Sequence, residues 1–203
     1  METSQSIRNL PLPIVFGIVL GAVGMNAGLN AANNALSMPF FFDSIGTAIV
    51  AAIVGLVPAI LVAVGTNLLI EVIMGFPWTN MPFAICGIAT AAIVWAFVRR
   101  DAFSTIGSVL LASLLVALAN SVLGAIIATF VYGGVTGVGV DYLVTGLVSA
   151  GQSLVSASFW ARVPANLFDK TIAVLVAYFV YRAVARRGWV QHDGETESSL
   201  DPH

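Results

Sequence analysis

Charged side chains are scarce in this sequence, and several of them share helical faces with amides. Asp, Glu, Lys and Arg make up 9% of the 203 residues, and each one placed inside a membrane costs about 2.5–3.5 kcal/mol on insertion scales. Residues three or four apart are neighbours on a helix, so Asn67 and Glu71 form one such pair. Arg162, Asn166, Asp169 and Lys170 cover another such face. Groups of both signs at this spacing could bind a polar small molecule, or could pair with each other and pin helices together.

The candidate ligand-binding residues are the acids, bases and amides near one set of helix ends, together with the loop after residue 75. They are Asn30, Asn34, Asp43, Asn67, Glu71, Trp78, Asn80, Arg162, Asn166, Asp169 and Lys170. Helix pinning is the alternative for the charged residues, and capping of the first helix is the alternative for its asparagines. Trp78 could instead anchor the loop at the membrane interface.

The residue types that catalysis or metal binding would need are missing from the apolar part of the chain. Both histidines, His192 and His203, lie near the C-terminus, and Cys86 is the single cysteine, so no nucleophile–base pair is expected in the membrane. No Gly-rich phosphate-binding loop precedes Lys170. We therefore expect no catalytic activity, no ATP hydrolysis by this chain, no cofactor and no metal. No basic surface for nucleic acid is present either.

Long uncharged runs determine the fold class. They cover residues 9–42, 44–70, 72–98 and 102–140, and each exceeds the roughly 20 residues that a helix needs to cross about 30 Å of hydrocarbon. The sequence therefore predicts an all-α integral membrane protein. Residues 1–10 are expected to be a cytoplasmic N-terminus without a cleaved signal peptide, 11–187 a single six-helix membrane domain, and 188–203 an acidic, disordered cytoplasmic tail.

The positions of the arginines predict the topology, because basic residues near span ends remain cytoplasmic. Arg8, the pair Arg99 and Arg100, and a group near residues 182–187 must then be separated by even numbers of spans. This gives six transmembrane helices near 11–31, 43–57, 58–75, 81–98, 105–131 and 163–185, with both the N and C termini cytoplasmic. The stretch Gly-Leu-Val-Pro at 55–58 marks the turn of a tight hairpin. Residues 141–160 are left over, and we expect an extra outward helix there, interfacial or re-entrant.

The first span carries glycines at positions that suit close helix contact. Gly17, Gly21, Gly24 and Gly28 form two successive small-xxx-small patterns, and such a face lets another helix approach closely. The spacing alone leaves open whether that helix belongs to this chain or to a partner.

These features resemble the substrate-binding S components of energy-coupling factor (ECF) transporters. The resemblance rests on the size and the span pattern, on Phe-Phe-Asp-Ser-Ile-Gly-Thr at 41–47, on Thr-Asn-Leu-Leu at 66–69, and on Pro-Ala-Asn-Leu-Phe-Asp-Lys at 164–170. It covers most of residues 10–187.

The resemblance implies an uptake function and a set of partners. Such S components bind a vitamin, a vitamin precursor or a metal ion in an outward-facing cavity of a multi-pass protein in the prokaryotic plasma membrane. They dock on a membrane T component that is driven by two cytosolic ATPase subunits. Small residues of the first helix form the docking face, which here would be the four glycines, although alanines are typical of the family. The metal-binding members use N-terminal histidines, which this chain lacks, so a small organic micronutrient is expected.

Two other classes of function also fit the sequence. In a self-contained secondary carrier or channel, Glu71, Asp169 and Lys170 would form a proton or ion relay. Six short spans without a detected inverted repeat are few for that task. A membrane sensor or scaffold is supported only by the acidic tail.

Overall fold

The computed structural model describes residues 10–75, 78–137 and 139–187, and the ordered elements in these ranges are all helical. Seven α-helices and a single 3-10 turn follow one another along the chain: α1 (Leu12–Ala35), α2 (Ile45–Ile53), α3 (Leu56–Ile73), the 3-10 turn (Met81–Phe83), α4 (Ala84–Arg99), α5 (Ile106–Phe130), α6 (Asp141–Ser149) and α7 (Leu154–Arg186). The predicted N-terminal segment, apart from residue 10, and the predicted acidic tail lie outside the described residues.

Five stretches of the described chain are long and apolar enough to cross a membrane: α1, α3, α4 with its preceding 3-10 turn, α5 and α7. This bears out the prediction of a multi-pass helical membrane protein. The second predicted span, near 43–57, is a helix of only nine residues, α2. At 1.5 Å per residue it covers about 14 Å, roughly half of the hydrocarbon thickness.

The connection between α2 and α3 is as short as the sequence predicts. Gly55 separates the two helices with a φ of 129°, a backbone conformation that residues with a Cβ rarely adopt. Pro58 lies in the first turn of α3, where its missing N–H removes no intrahelical hydrogen bond. The hairpin therefore turns at the glycine, and the proline follows in the helix start.

The chain after residue 140 divides differently from the prediction of one helix near 141–160. Helix α6 ends at Ser149, Gly151 has a φ of 92°, and the Ser153 hydroxyl accepts from the backbone N–H of Ser156 as the N-cap of α7. A left-handed glycine followed by a serine cap is a strong helix boundary. As a result the last helix begins at residue 154 rather than near 163, and Pro164 lies inside it.

Small side chains fill the interior of the bundle. The main buried cluster is rich in alanine and valine, including Ala48, Ala59, Ala91, Ala112 and Ala177. Between lipids, helices associate through close packing rather than through the hydrophobic effect, so small residues belong at the contacts. Large apolar residues such as Leu110, Leu114 and Leu118 are exposed along α5, as expected for a lipid-facing surface.

The two ends of the bundle differ in chemistry. At one end, the connection between α4 and α5 meets the C-terminal part of α7, where the Phe103 ring lies 5.8 Å from the Tyr181 ring. Arg99, Arg100 and the arginines at 182–187 belong to this basic end. The opposite end gathers the C-terminal ends of α1, α3 and α5 with the first half of α7, and it holds the buried polar residues described below.

Candidate ligand-binding cavity

A cavity opens at the end of the bundle opposite the arginine-rich end. Its empty space, which includes open solvent at its mouth, is about 620 Å³. Of the residues predicted from sequence, seven line it: Asn30, Asp43, Asn67, Asn80, Arg162, Asn166 and Lys170. They come from α1, the α1–α2 connection, α3, the α3–α4 connection and α7, so the fold brings together positions from both halves of the chain.

Lys170 forms a closed ion cluster in the wall of this cavity. Its Nζ donates to Asp43 Oδ1 at 2.8 Å, to Asp169 Oδ2 at 2.6 Å and to Ser44 Oγ at 2.6 Å. An ammonium has three donors, so all of them are engaged. Asp169 also accepts from the backbone N–H of Phe42 at 3.2 Å through its second oxygen. The cluster thus ties α7 to the segment that leads into α2.

Arg162 makes fewer hydrogen bonds than Lys170. Its side chain is 1% exposed and lines the cavity, and its Nη1 donates to the carbonyl of Ser158 at 3.1 Å. The buried Nε has no hydrogen-bond partner, and among the described residues the two ion pairs at this end both belong to Lys170 rather than to Arg162. A guanidinium carries five donors, and here one is used.

The guanidinium lies beside a glycine of α5. A Cβ added at Gly124 would stand 3.3 Å from Cδ of Arg162 and 3.5 Å from its Nε. That is a tight contact, which the arginine would have to relieve by shifting. Gly124 also lines the cavity, and its missing side chain therefore leaves room for Arg162 to lie across α5.

Amide side chains on three helices complete the polar wall. Asn166 donates to the hydroxyl of Ser121 at 3.1 Å and so links α7 to α5. Asn120 donates to Thr90 Oγ1 at 3.1 Å and links α5 to α4. Asn67 donates to the carbonyl of Ala63, one turn earlier in α3. These bonds fix the orientation of side chains that also border the cavity.

Glu71 anchors the loop over the cavity and lies behind the wall. Its carboxylate is fully buried and accepts from three backbone N–H groups, those of Trp78 at 2.8 Å, Met81 at 2.9 Å and Asn80. A carboxylate held by backbone donors in this way gains strong charge-assisted bonds. Asn80 is thereby placed at the cavity mouth.

A second carboxylate fixes the connection that follows α5 in a similar way. Asp141 accepts from the backbone N–H groups of Thr136 and Gly137, both at 2.7 Å, and from the Thr136 hydroxyl at 3.0 Å. Tyr132 of the same connection donates to the carbonyl of Trp78 at 3.4 Å. Burial, with a smaller contribution from Glu71, raises the pKa of Tyr132, so its phenol keeps the proton that it donates.

The asparagines of α1 divide into structural and cavity-facing members. Asn26 donates to Thr47 and Thr66 and accepts from the backbone N–H of Gly46, which pins α1 to α2 and α3. Asn30 donates to the carbonyl of Phe41 at 3.0 Å and lines the cavity. Asn34 donates to Asn30 at 3.1 Å and borders a separate, shallow groove.

Four predicted ligand residues therefore stand outside the cavity wall. Asn34 borders the shallow groove, Glu71 anchors a loop, and Asp169 lies behind Lys170. Trp78 is 63% exposed, with a φ of 58°. Asp169 pairs with Lys170, as in the helix-pinning alternative. Glu71 instead accepts from backbone N–H groups of a loop, which neither alternative describes.

Seven further residues line the cavity without having been predicted as ligand contacts: Phe41, Ile70, Phe83, Cys86, Asn120, Gly124 and Thr136. Most are apolar or small, and an apolar residue in an apolar helix carries no signal of its own. Phe41 belongs to the Phe triplet before α2, and its ring lies 5.6 Å from Lys170 Nζ. Asn120 combines a place in the cavity wall with an interhelical hydrogen bond to Thr90.

The glycine face of α1 is not covered by another helix of the described chain. A Cβ added at Gly17, Gly21, Gly24 or Gly28 would meet nothing within 4 Å. In contrast, Gly46 approaches the backbone of Ala22 so closely that a Cβ would lie 2.7 Å from its carbonyl oxygen. Within the chain, α1 therefore packs through a different face from the one that carries the four glycines.

Compared with protein-family models, with curated proteins and with solved structures, the chain shows no significant match.

Proposed function

We propose that this chain is the substrate-capture (S) subunit of an ECF-type importer. The subunit binds a small organic micronutrient, a vitamin or a precursor, and passes it inward when it is docked on a T component with two cytosolic ATPases. The observation that carries the proposal is the polar cavity at one end of an apolar helical bundle, opposite the arginines. By the positive-inside rule the arginine-rich end is cytoplasmic, so the cavity faces outward, as capture from outside requires.

The proposed arrangement in the prokaryotic plasma membrane has six spans and two cytoplasmic termini. In it, α2 and α3 act as one hairpin that enters from the outer side, and α2 contributes a short span whose outer end is held by the Lys170 cluster. Helix α6 lies on the outer side, where Tyr142 is largely exposed and suits the membrane interface.

The uncovered glycine face of α1 supports the partner half of the proposal. No helix of the described chain approaches Gly17, Gly21, Gly24 or Gly28, so this face is open to a helix of another protein. Close approach of backbones at small residues is a common way for membrane helices to associate. The T component would dock there, while the ATPases contribute the ATP chemistry for which this chain has no phosphate-binding loop.

Purification from the native membrane in mild detergent tests the proposal directly. We expect ATPases and a further membrane protein to co-purify, and mass spectrometry of the denatured complex to identify a released small organic molecule. Uptake of that molecule into liposomes should require the partners and ATP.

Liposomes that contain this chain alone provide the opposing test. Uptake of the released molecule driven by a proton gradient, without partners or ATP, would overturn the proposal in favour of a self-contained carrier. The buried cluster of Asp43, Asp169 and Lys170 would then be the first place to look for the coupling site.

A further inference from the structure

The cavity contains two cations whose surroundings differ. Lys170 has its three donors engaged, two of them by carboxylates. Arg162 stands two helical turns earlier on the same face of α7, with one hydrogen bond to a carbonyl and with Nε lacking a partner. The Lys170 cluster, with one ammonium and two carboxylates, has a formal charge of −1, whereas the guanidinium carries +1 and has no ion-pair partner among the described residues.

Burial raises the free-energy cost of a cation that lacks an ion-pair partner. Arg162 is 1% exposed, and a buried charge without a counter-ion is strongly disfavoured. The other acids of this end accept from neutral donors, Glu71 from the backbone at 78–81 and Asp141 from Thr136 and Gly137. Asp141 attracts the guanidinium from beyond ion-pair distance. Among the described residues no carboxylate lies within ion-pair distance of the guanidinium, so its free donors are open to the acid group of a bound molecule.

We infer that the substrate is a small organic anion whose acid group binds Arg162. The guanidinium fork matches a carboxylate in a bidentate geometry. The amides of Asn166 and Asn120 would hydrogen-bond the polar part of the molecule next to that acid group. Phe41 and Phe83 supply aromatic surface nearer the mouth. The inference rests on the proposed function in one respect, since it takes this cavity as the substrate site.

The lone cysteine allows the charge preference to be measured before the substrate is known. Cys86 lies in the cavity wall and the sequence contains no other cysteine. Purified full-length protein is treated with two thiol reagents of similar size, anionic sulfonatoethyl and cationic trimethylammonioethyl methanethiosulfonate. Modification is followed by intact-mass spectrometry. We expect the anionic reagent to react about tenfold faster, since an uncompensated cation concentrates anions in a low-dielectric cleft.

Variants of Arg162 test whether the guanidinium causes the preference for the anionic reagent. Arg162→Gln should abolish the tenfold difference or reverse it, and Arg162→Lys should keep it because the charge remains. Arg182→Gln, at the opposite end of α7, is the matched control and should change nothing. Asn67→Cys in a Cys86→Ser background gives a second reporter on another wall of the cavity.

The outcomes separate this inference from the proposed function. Equal rates for the two reagents, or faster reaction of the cation, at either cysteine would overturn the inference, even if the ATPases co-purify. An anion preference that depends on Arg162, in a protein that binds no ATPase, would support the inference and overturn the proposed function. Mass spectrometry of the released ligand gives the final check: an acid supports the inference, and a neutral or cationic molecule contradicts it.

Discussion

The ammonium of Lys170 lies 2.8 Å from the carboxylate of Asp43, a residue 127 positions earlier in the chain. With Asp169 and Ser44, this contact fastens the middle of the last helix to the entrance of the α2–α3 hairpin. The Asp43 side chain is 27% exposed, whereas those of Lys170 and Asp169 are almost wholly buried. The cluster therefore forms part of the cavity wall, and Asp43 is its most exposed member.

Removal of the lysine charge should destabilise the protein. Lys170→Met leaves Asp43 and Asp169 without their cation, and breaking a buried ion pair from one side costs about 3–5 kcal/mol. We expect a clearly lower midpoint of thermal unfolding in detergent. Adding Asp43→Asn and Asp169→Asn to the lysine variant should restore part of the loss, because the stranded charges are then removed. Arg186→Met, an exposed cation at the other end of α7, is the control, and an equal loss there would contradict the role of the cluster.

Glu71 should control the order of the loop that carries Asn80. In Glu71→Gln, one of the two acceptor oxygens becomes an NH2 group that faces backbone donors, and each lost charge-assisted bond is worth about 1.5–3 kcal/mol. Amide hydrogen exchange at residues 78–81 should therefore become faster. Asp141→Asn is the matched variant for the other connection and should speed exchange at 136–137 instead. Unchanged exchange at 78–81 would show that Glu71 does not hold this loop.

Gly124→Ala should weaken ligand binding without destabilising the fold. Alanine raises helix propensity by about 1 kcal/mol relative to glycine, yet its Cβ would press on Arg162 at 3.3 Å. We expect the affinity for the released ligand to fall several-fold while the unfolding temperature stays the same or rises. Gly107→Ala in the same helix, where a Cβ meets nothing within 4 Å, should leave the affinity unchanged. If Gly124→Ala and Gly107→Ala bind the ligand with equal affinity, then Arg162 does not need the space beside Gly124.

Asn166 should contribute to ligand affinity directly. It lies one helical turn from both Arg162 and Lys170 and lines the cavity, so its loss should weaken binding of the released ligand by about tenfold, equivalent to one hydrogen bond. Isothermal titration of Asn166→Ala measures this. Asn34→Ala removes an amide that borders only the shallow groove and should bind normally. An unchanged affinity for Asn166→Ala would restrict this residue to its bond with Ser121.

The exposed glycine face of α1 should matter for assembly and not for binding. Gly21→Leu adds a bulky side chain where close approach of a partner helix is proposed, and nothing in the described chain stands in its way. We expect co-purification of the T component to be lost while ligand affinity is retained. Gly107→Leu, on an exposed part of α5, should assemble normally. Normal assembly of Gly21→Leu would refute the docking face.

Much of the candidate site could be predicted because polar residues in an apolar chain are conspicuous. Helical spacing alone grouped Arg162, Asn166, Asp169 and Lys170 on one face, and all of them except Asp169 line the cavity. The same reasoning could not separate Glu71 and Asp169 from the residues that line the cavity. Their carboxylates are used by backbone and side-chain donors that lie far apart in the sequence or in an irregular loop, which periodicity does not describe. Phe83 and Cys86 carried no signal at all, since an apolar wall looks like any other apolar helix.

The sequence by itself determined that this is a helical membrane protein, because runs of more than 20 uncharged residues have no other stable location. It also determined which end of the bundle is basic. Only the tertiary structure decided which of the two buried cations has carboxylate partners. Lys170 meets Asp43 across 127 residues, whereas Arg162 meets a glycine and a carbonyl. Such pairing depends on how α5, α7 and the α2–α3 hairpin pack, and distances between packed helices are not encoded in the spacing of residues along any one of them.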